Sequence, residues 1–560
     1  MSSAIDTAPI ARPAGGLAEL RAEDVVAHTL LNCYLREMAQ PERQAVLDGD
    51  TLRIRLPRTD VLLSVAVRRA ALSGAHRFTG PALLANGTDW TELGWRRLAE
   101  LLAEELRRAT GVANEEFLDQ VAGSHAVTRT LLRNPRPVVE PDQRYLESER
   151  ALLLGHRFHP TPKSRSGASR DWPSYAPETG ATMTVRHLAV RENLVRQETL
   201  APDTLSAMDS LGEVPDGYRL LPVHPWQYEL LRGNETLSRA LRDGDLIDLG
   251  PGERSFAATS SVRTLYGRDE FLKFSLNVRI TNCVRKNSAY ELAGSVALTR
   301  LLDHELSGWR TRFPGCAVLR EPGYRTVDLA DSELLEGFGV IVREGPGRHL
   351  LPGVTPLLAG AIADEYACSG AQVSRLLGEP ATDRVLAWWW AYLRLLLPPV
   401  LAAFFAHGVV FEPHLQNVLV GVDADGMPAQ VLLRDLEGAK LVDHRHTGFL
   451  RELDPAVAGP MTYDPVRGWR RVAYCLLVNH VSETLAALAD LRPELEPALW
   501  RAVREQLADC AETHDHPAEL RAVLAGVPVP AKTNLLTRWR RTGDREAGYL
   551  PLPLPLGPDA

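Results

Sequence analysis

Two short runs carry residue types that could hold a metal ion beside a charged substrate. Glu412-Pro-His-Leu-Gln-Asn417 leads into the apolar stretch Val418-Leu-Val420, and Arg434-Asp-Leu-Glu437 follows downstream. The spacing predicts a His-x-x-Asn turn entering one strand and a second, neighbouring strand that carries Asp435 and Glu437. Asn417, Asp435 and Glu437 would then present oxygen atoms at adjacent strand ends. Such ligands suit Mg²⁺, which takes one or two carboxylates from a protein and shares its remaining positions with nucleotide phosphates. The competing reading is a hairpin whose polar residues only cap strand ends.

Two further runs are dense in cations. Gly155-His-Arg-Phe-His-Pro-Thr-Pro-Lys-Ser-Arg-Ser-Gly167 gathers His156, His159, Arg157, Arg165 and Lys163 around two stiffening prolines. A loop so rich in N–H donors and positive charge suits a phosphate or carboxylate ligand. A metal at His156 and His159 would be repelled by the flanking cations, and a plain solvated basic loop is the bland alternative. Ala258–Thr264 is expected as a hydroxyl-rich strand, followed by a long strand over Phe271–Lys286. In the strand period Lys273, Ser275, Asn277, Arg279 and Thr281 share one face, while Leu272, Phe274, Leu276, Val278 and Ile280 share the other. Two adjacent strands would line one groove with Arg263, Lys273, Arg279 and Arg285, enough charge to neutralise a triphosphate or polycarboxylate. His224-Pro225 adds a weaker signal, a strand-to-helix turn of the kind that holds ligands in mixed sheets.

Helices and strands must position these runs. Helical periodicity predicts a first helix over Leu17–Ala39 and others over Leu93–Ala109, Asn114–Leu132, Gln143–Leu154 and Tyr290–Leu306. Strand patterns fall at Thr51–Leu56, Val61–Val67, Thr182–Val190, Tyr218–Val223 and around Phe338–Val342. The Pro/Gly cluster at 346–353 reads as a boundary or mobile loop. Val385–Phe405 reads as a buried helix broken at Pro398 and Pro399. Helices then run over Trp469–Leu488, Glu494–Cys510 and Glu519–Ala525, with a short one from Lys532 and a Pro-rich tail expected to be disordered.

With 560 residues, 45% of them hydrophobic, the chain can bury large cores and divide into two to four units. A net charge of −8 argues against a general nucleic-acid binder. The 6 cysteines form no C-x-x-C pair and read as buried small hydrophobes in a reducing compartment. No signal peptide is evident, and Arg394 with the two prolines argues against a membrane span in the most apolar run. A soluble cytoplasmic protein without nucleic-acid or membrane partners is expected.

Taken in order, Gly155–Gly167, Ser260–Arg263, Lys273–Arg285 and Glu412–Glu437 resemble the IucA/IucC family, siderophore synthetases that work without a nonribosomal peptide assembly line. The resemblance spans about residues 150 to 540 and rests on the ordered set, not on one motif. It implies an α+β fold with a hand-like architecture: residues 1–175 a mostly helical thumb, 176–370 fingers on a central antiparallel sheet, and 371–560 a kinase-like palm. It implies ATP- and Mg²⁺-dependent adenylation of a carboxylic acid (citrate, a related di- or tricarboxylate, or its monoamide). An amine, hydroxylamine or alcohol then captures the acyl group, and AMP and pyrophosphate leave. By the family's motifs, Lys163, Ser260, Ser261, Arg263, Lys273, Gln416 and Asn417 contact ATP and its phosphates. His156, His159, Thr281, Asn282, Arg285, Glu412 and His414 hold the carboxylate, and Asn417, Asp435 and Glu437 hold the metal. His159, Arg263, Arg285 and His414 form the catalytic set, with His414 or His159 as general base. Pairing in the family implies a homodimer. Arg157 stands where a smaller residue or Pro is expected, and the acceptor's pocket has no sequence signal.

Two other classes compete. His-x-x-Asn followed by Asp also occurs in kinase-like small-molecule phosphotransferases, although the N-terminal region lacks their Gly-rich loop and strand Lys. A non-catalytic nucleotide or citrate sensor is the third.

Overall fold

The computed structural model describes residues 20–133, 143–166, 171–280, 283–378, 380–543 and 546–558. Thr281, Asn282 and the predicted start of the first helix lie outside them. The fold is α+β, organised around three large apolar cores.

The first helix, Ala22–Tyr34, continues into a π-helical turn at Leu35–Ala39. Leu30, Leu31 and Tyr34 share a core with a five-stranded antiparallel sheet in chain order: Ala45–Asp48, Thr51–Leu56, Val61–Arg69, Arg77–Asn86 and Asp89–Leu93. The predicted hairpin is present, with Thr51 opposite Ala66 and Leu56 opposite Val61. The other strands extend that hairpin into a five-stranded sheet beside the helices expected here. Gly80, at φ 66°, and Pro81 interrupt the alternation of Arg77–Asn86 and hide it from a periodicity search. Helices Trp95–Thr110 and Phe117–Arg133 fall within a few residues of their expected bounds. The late helix Asn534–Arg540 returns to this unit, with Leu535 and Trp539 in its core. The buried Glu37 carboxylate accepts from the N–H groups of Asn534, Leu535 and Leu536 at 2.7, 2.8 and 2.9 Å, satisfying that helix's first turn.

The central sheet has eight strands, all antiparallel to their neighbours, in the order Val195–Thr199, Gly323–Val327, Val340–Glu344, Glu270–Phe274, Thr264–Gly267, Leu246–Ala258, Thr182–Arg191 and Tyr218–Val223. Both of its faces are covered. Leu272 and Phe274 pack into the sheet's own core, and Phe271 packs into the core of the C-terminal unit. Lys273, on the same face as Phe271, is only 1% exposed, so the expected row of cations is no solvated face.

Two strand expectations are corrected here. Phe271–Lys286 splits at Ser275, whose hydroxyl donates to Glu336 O and accepts from Asn287 N–H at 2.6 and 2.8 Å. Beyond it Leu276–Ile280 joins a separate sheet with Arg165–Ser166 and Cys283–Arg285. Residues 259–263 form a turn between sheet strands, closed by Thr259 Oγ1 donating to Thr264 O at 2.7 Å. Val262 takes φ 68° there, an unusual conformation for a β-branched residue.

The C-terminal unit is built on Thr382–Phe405, a helix that remains continuous through Pro398 and Pro399 where a break was expected. Burial of Trp388, Trp389, Tyr392, Leu396 and Leu397 holds it despite the lost backbone bonds. A four-stranded sheet lies against it, ordered Cys316–Val318, Pro428–Leu433, Val418–Val422 and Thr355–Leu358. Strands from before residue 371 therefore belong to this unit. The 346–353 segment leads into it through a 3₁₀ turn, Pro346–Arg348, tied by Gly347 N–H to Asp269 Oδ1 at 2.9 Å.

The tail overturns the expectation of disorder. Tyr549–Leu552 pairs antiparallel with Val529–Lys532, and Leu552, Leu554 and Leu556 enter the main core. Leu at alternate positions supplies a strand's apolar face, with prolines between, and the pair forms a two-stranded sheet where Pro is tolerated. Cys33, Cys316, Cys368, Cys475 and Cys510 are buried, as expected. Two segments, Thr382–Phe405 and Pro465–Leu491, have the length and composition to span a membrane; 61% and 94% of their most apolar windows are buried within the fold.

Candidate active site

The three units meet around a cavity of about 490 Å³. Most candidates named from the sequence line it: His156, His159 and Lys163 on one loop, Ser260, Ser261 and Arg263 on the 259–263 turn, Lys273 and Arg285 from the sheets, and Glu412, His414, Gln416, Asn417, Asp435 and Glu437 from the C-terminal unit. Arg279 and His224 do not. His224 is instead fully buried between Tyr175 and Phe274, with Nδ1 accepting from Trp226 N–H at 3.2 Å.

The predicted hairpin is realised. Val418 pairs with Leu433, Asn417 precedes one strand, and Arg434 N–H donates to Asn417 O at 3.0 Å. Asp435 and Glu437 lie just past the second strand, in a turn where Asp435 adopts φ 79°. Such a conformation in a non-glycine residue is held only where surrounding bonds over-determine it. Here they do. Asp435 Oδ1 accepts from Lys273 Nζ and from Arg343 Nη2, the latter at 2.6 Å. Glu437 Oε2 lies 2.7 Å from Lys273 Nζ and 2.8 Å from Arg263 Nη2. Arg343 also donates to Glu321 Oε1 at 2.5 Å, and Arg263 Nη1 donates to Asn287 Oδ1. Burial pushes the Asp435 and Glu437 carboxyls up, but Lys273 and Arg263 outweigh it at both, with Arg343 adding to them at Asp435, and hold both below the usual range.

Sequence reading missed Arg343, Glu321, Asn287, Glu149 and Asn479. Arg343 sits opposite Phe271 in the sheet register, on the same face as Lys273, so only strand pairing reveals it. Glu149, from the helix Arg144–Arg150, accepts from Arg434 Nη1 at 2.5 Å and from the Ser260 N–H and hydroxyl at 3.1 and 2.7 Å. Arg434 in turn donates to Gln416 O at 2.8 Å, so one buried ion pair fixes both turns. Asn479 lies in a π-helical segment, Tyr474–Val481, a widening common at functional sites. Its side chain accepts from Leu415 N–H at 3.1 Å and meets His156 Nε2 at 2.9 Å.

The basic loop differs from a free anion cradle. Lys163 Nζ donates to Glu178 Oε1 at 2.5 Å and to Leu152 O, and Arg165 Nη2 lies 3.1 Å from Glu178. Burial raises the Glu178 carboxyl, yet Lys163 and Arg165 bring it down to about 2. Lys163 thus already has a carboxylate partner. Both His156 ring nitrogens are engaged, Nδ1 by Phe158 N–H at 3.0 Å. Burial lowers His156 to about 4 and also lowers His414, leaving both imidazoles neutral at neutral pH.

A metal was expected at Asn417, Asp435 and Glu437. Among the described residues no group of three or more His, Cys, Asp or Glu is placed to hold an ion unaided. The two carboxylates already face three cations. This oxygen donor set fits Mg²⁺ that arrives on nucleotide phosphates, which would occupy those cations, better than a resident ion in a protein cage.

The IucA / IucC family model matches residues 144–364, and a model described as ferric iron reductase FhuF-like transporter matches residues 386–548. The rhizobactin siderophore biosynthesis protein RhbC of Rhizobium meliloti is 28% identical over 555 residues, covering 93% of this chain and 94% of that protein. An L-2,3-diaminopropanoate–citrate ligase of Staphylococcus aureus is 29% identical over 437 residues, 73% of this chain and 74% of its own. The structure of ATP-bound aerobactin synthetase IucA from a hypervirulent Klebsiella pneumoniae superposes with a TM-score of 0.83 at 25% identity, covering 95% of this chain and 99% of that one.

Proposed function

The chain belongs to the IucA/IucC family, and from that premise we propose that it is an ATP-dependent ligase of siderophore biosynthesis. It adenylates citrate or a related di- or tricarboxylate and joins the acyl group to an amine, releasing AMP and pyrophosphate. The observation that carries this reading is the convergence of Arg263, Lys273 and Arg343 on Asp435 and Glu437 in the cavity that also holds His159, Arg285 and His414.

Adenylation drives a carboxylate oxygen against the α-phosphorus, so two anions must meet. Arg263, Lys273 and Arg343 lower that repulsion and stabilise charge on the phosphoryl oxygens. They are buried and bonded in advance, so little reorganisation is needed as charge develops. Arg285 orients the acid beside them, and the Ser260 turn and Gln416 are fixed by the Glu149–Arg434 pair. Asn417, Asp435 and Glu437 would hold Mg²⁺, which when bound neutralises phosphate charge. Either neutral His414 or the neighbouring His159 accepts the proton the amine loses. In this reading the N-terminal unit is a thumb, the eight-stranded sheet the fingers and the C-terminal unit the palm. In the same reading the enzyme is cytoplasmic and works as a homodimer.

The phosphotransferase alternative finds no support: the relatives named are a citrate ligase and a siderophore biosynthesis protein. Incubation with ATP, Mg²⁺, hydroxylamine and a panel of citrate, 2-oxoglutarate, succinate and succinyl hydroxamates tests the proposal. AMP with a hydroxamate of citrate is the expected result; ADP without hydroxamate would overturn it.

A further inference from the structure

The cavity does not end at the residues used above. It runs on past His156 to the first helix, where Thr29 and Asn32 line it, and to Glu483 at the start of the helix Ser482–Leu491. Arg157 lines this end as well, beside Glu483. On the Proposed function reading, the acid and nucleotide take the sheet side of the cavity, and this far end has no assigned ligand.

Three side-chain atoms in this end are buried without a hydrogen-bond partner: the Asn32 amide oxygen, Arg157 Nη1 and Glu483 Oε1. Leaving buried polar groups unpaired is costly, and native proteins keep such groups where something else satisfies them. Their chemistry is complementary in sign. Asn32 and Glu483 offer acceptors to an ammonium, and Arg157 offers a charged donor to a carboxylate.

The fixed charges around them lean positive, with Arg36, Arg68 and Arg157 facing Glu365 and Glu483. Arg157 Nη2 meets Glu365 Oε2, and its Nε lies 3.8 Å from Glu483 Oε2. Arg36, one helical turn after Asn32, places Nη2 4.0 Å from Glu483 Oε1 and stacks on Phe158 with its guanidinium 3.0 Å from the ring centroid. Glu365 has a second partner in Arg68 at 3.0 Å. No excess of negative charge awaits a polycation here. One wall is widened by the π-helical segment Tyr474–Val481, and the first helix passes into a π-helical turn, Leu35–Ala39, soon after Asn32, the kind of local distortion that accompanies functional sites. Asn479 joins this end to the His414 turn through its bonds to His156 and Leu415.

We propose that this end of the cavity is the acyl-acceptor subsite and that it takes a zwitterionic amine, an amino acid whose carboxylate meets Arg157 and whose ammonium meets Asn32 and Glu483. A second, uncharged amine of the same molecule then reaches the acyl adenylate. Its nitrogen forms the amide bond to the acyl carbon, the acyl–oxygen bond to AMP breaks, and the proton passes to the neutral imidazole.

The full-length enzyme is given ATP, Mg²⁺, citrate and either 2,3-diaminopropanoate or ornithine, or the matched decarboxylated diamines ethylenediamine or putrescine. Amide product is measured by mass spectrometry. Hydroxylamine capture, which needs no acceptor subsite, is run beside each. The wild type should favour an amino acid over its decarboxylated partner by about tenfold or more in kcat/KM, the size of one charge-assisted hydrogen bond. Arg157→Gln should erase that preference and lower the ratio of amide to hydroxamate at least about tenfold, through KM for the amino acid. Asn32→Ala, on the opposite wall, should lower the same ratio and serves if Arg157→Gln does not fold. A wild type that prefers the diamine, or variants with an unaltered ratio, would overturn the subsite while hydroxamate formation still supported the ligase. Absence of hydroxamate from the wild type would overturn the ligase reading, and the subsite with it.

Discussion

Lys273→Met asks whether the buried cluster acts as one electrostatic unit. The ammonium lies 2.7 Å from Glu437 Oε2 and 3.5 Å from Glu321 Oε1, and it also bonds Asp435 Oδ1. At an effective dielectric of about 20, those two separations correspond to about 6 and 5 kcal/mol of attraction. Desolvation of the ions offsets much of this, and removing one partner of a buried pair costs about 3–5 kcal/mol. Methionine retains most of the volume, so the loss is chiefly one of charge. Asp435→Asn removes the opposite charge, and the double variant should recover about 2 kcal/mol relative to the sum of the single effects. Urea unfolding of the four proteins gives the cycle. ATP titration gives the functional counterpart, with Lys273→Met weakening nucleotide binding about 100-fold or more, or about 2.7 kcal/mol. Stabilities that add within about 0.5 kcal/mol, together with unaltered ATP affinity, would refute a coupled cluster.

Other outcomes follow from the same geometry. Arg285→Ala should raise KM for the carboxylate more than for ATP, and an unaltered carboxylate KM would remove its role in acid recognition. Burial lowers the pKa of His414, and that of His156 to about 4, so each takes up its proton at a lower pH than an ordinary imidazole. The acid limb of kcat/KM should therefore lie below about pH 6.5; a limb at or above that value would exclude a buried neutral base. Ending the chain after Glu546 removes Leu552, Leu554 and Leu556 from the core. At roughly 1.5–3 kcal/mol for each buried leucine, the thermal transition should fall sharply, and an unshifted transition would contradict the packing of the tail.

Residue type and local spacing exposed some parts of this site and hid others. The His414–Asn417 turn and the Asp435–Glu437 pair were legible because one hairpin brings them together within a short span of chain. Lys273 was legible as a cation in strand alternation, but its burial was not, since the sheet's second face is covered by a unit distant in sequence. Arg343 and Glu149 carry no local motif; they matter through strand register and through an ion pair formed across the fold. In the N-terminal unit, alternation read the Thr51–Val67 hairpin, whereas Gly80 and Pro81 broke the pattern of the next strand. The tail misled because proline-rich composition commonly signals disorder, while the leucines at alternate positions were the stronger physical signal.

The central claim is that a carboxylate oxygen attacks the α-phosphorus of ATP inside this cavity. Citrate labelled with ¹⁸O in its carboxylates, turned over with ATP, Mg²⁺ and hydroxylamine, measures that step directly. An acyl adenylate must leave one carboxylate oxygen on the phosphate of AMP, so AMP heavier by a single ¹⁸O is the predicted product. Label in inorganic phosphate, with ADP as the nucleotide, would place the attack on the γ-phosphorus and contradict the account.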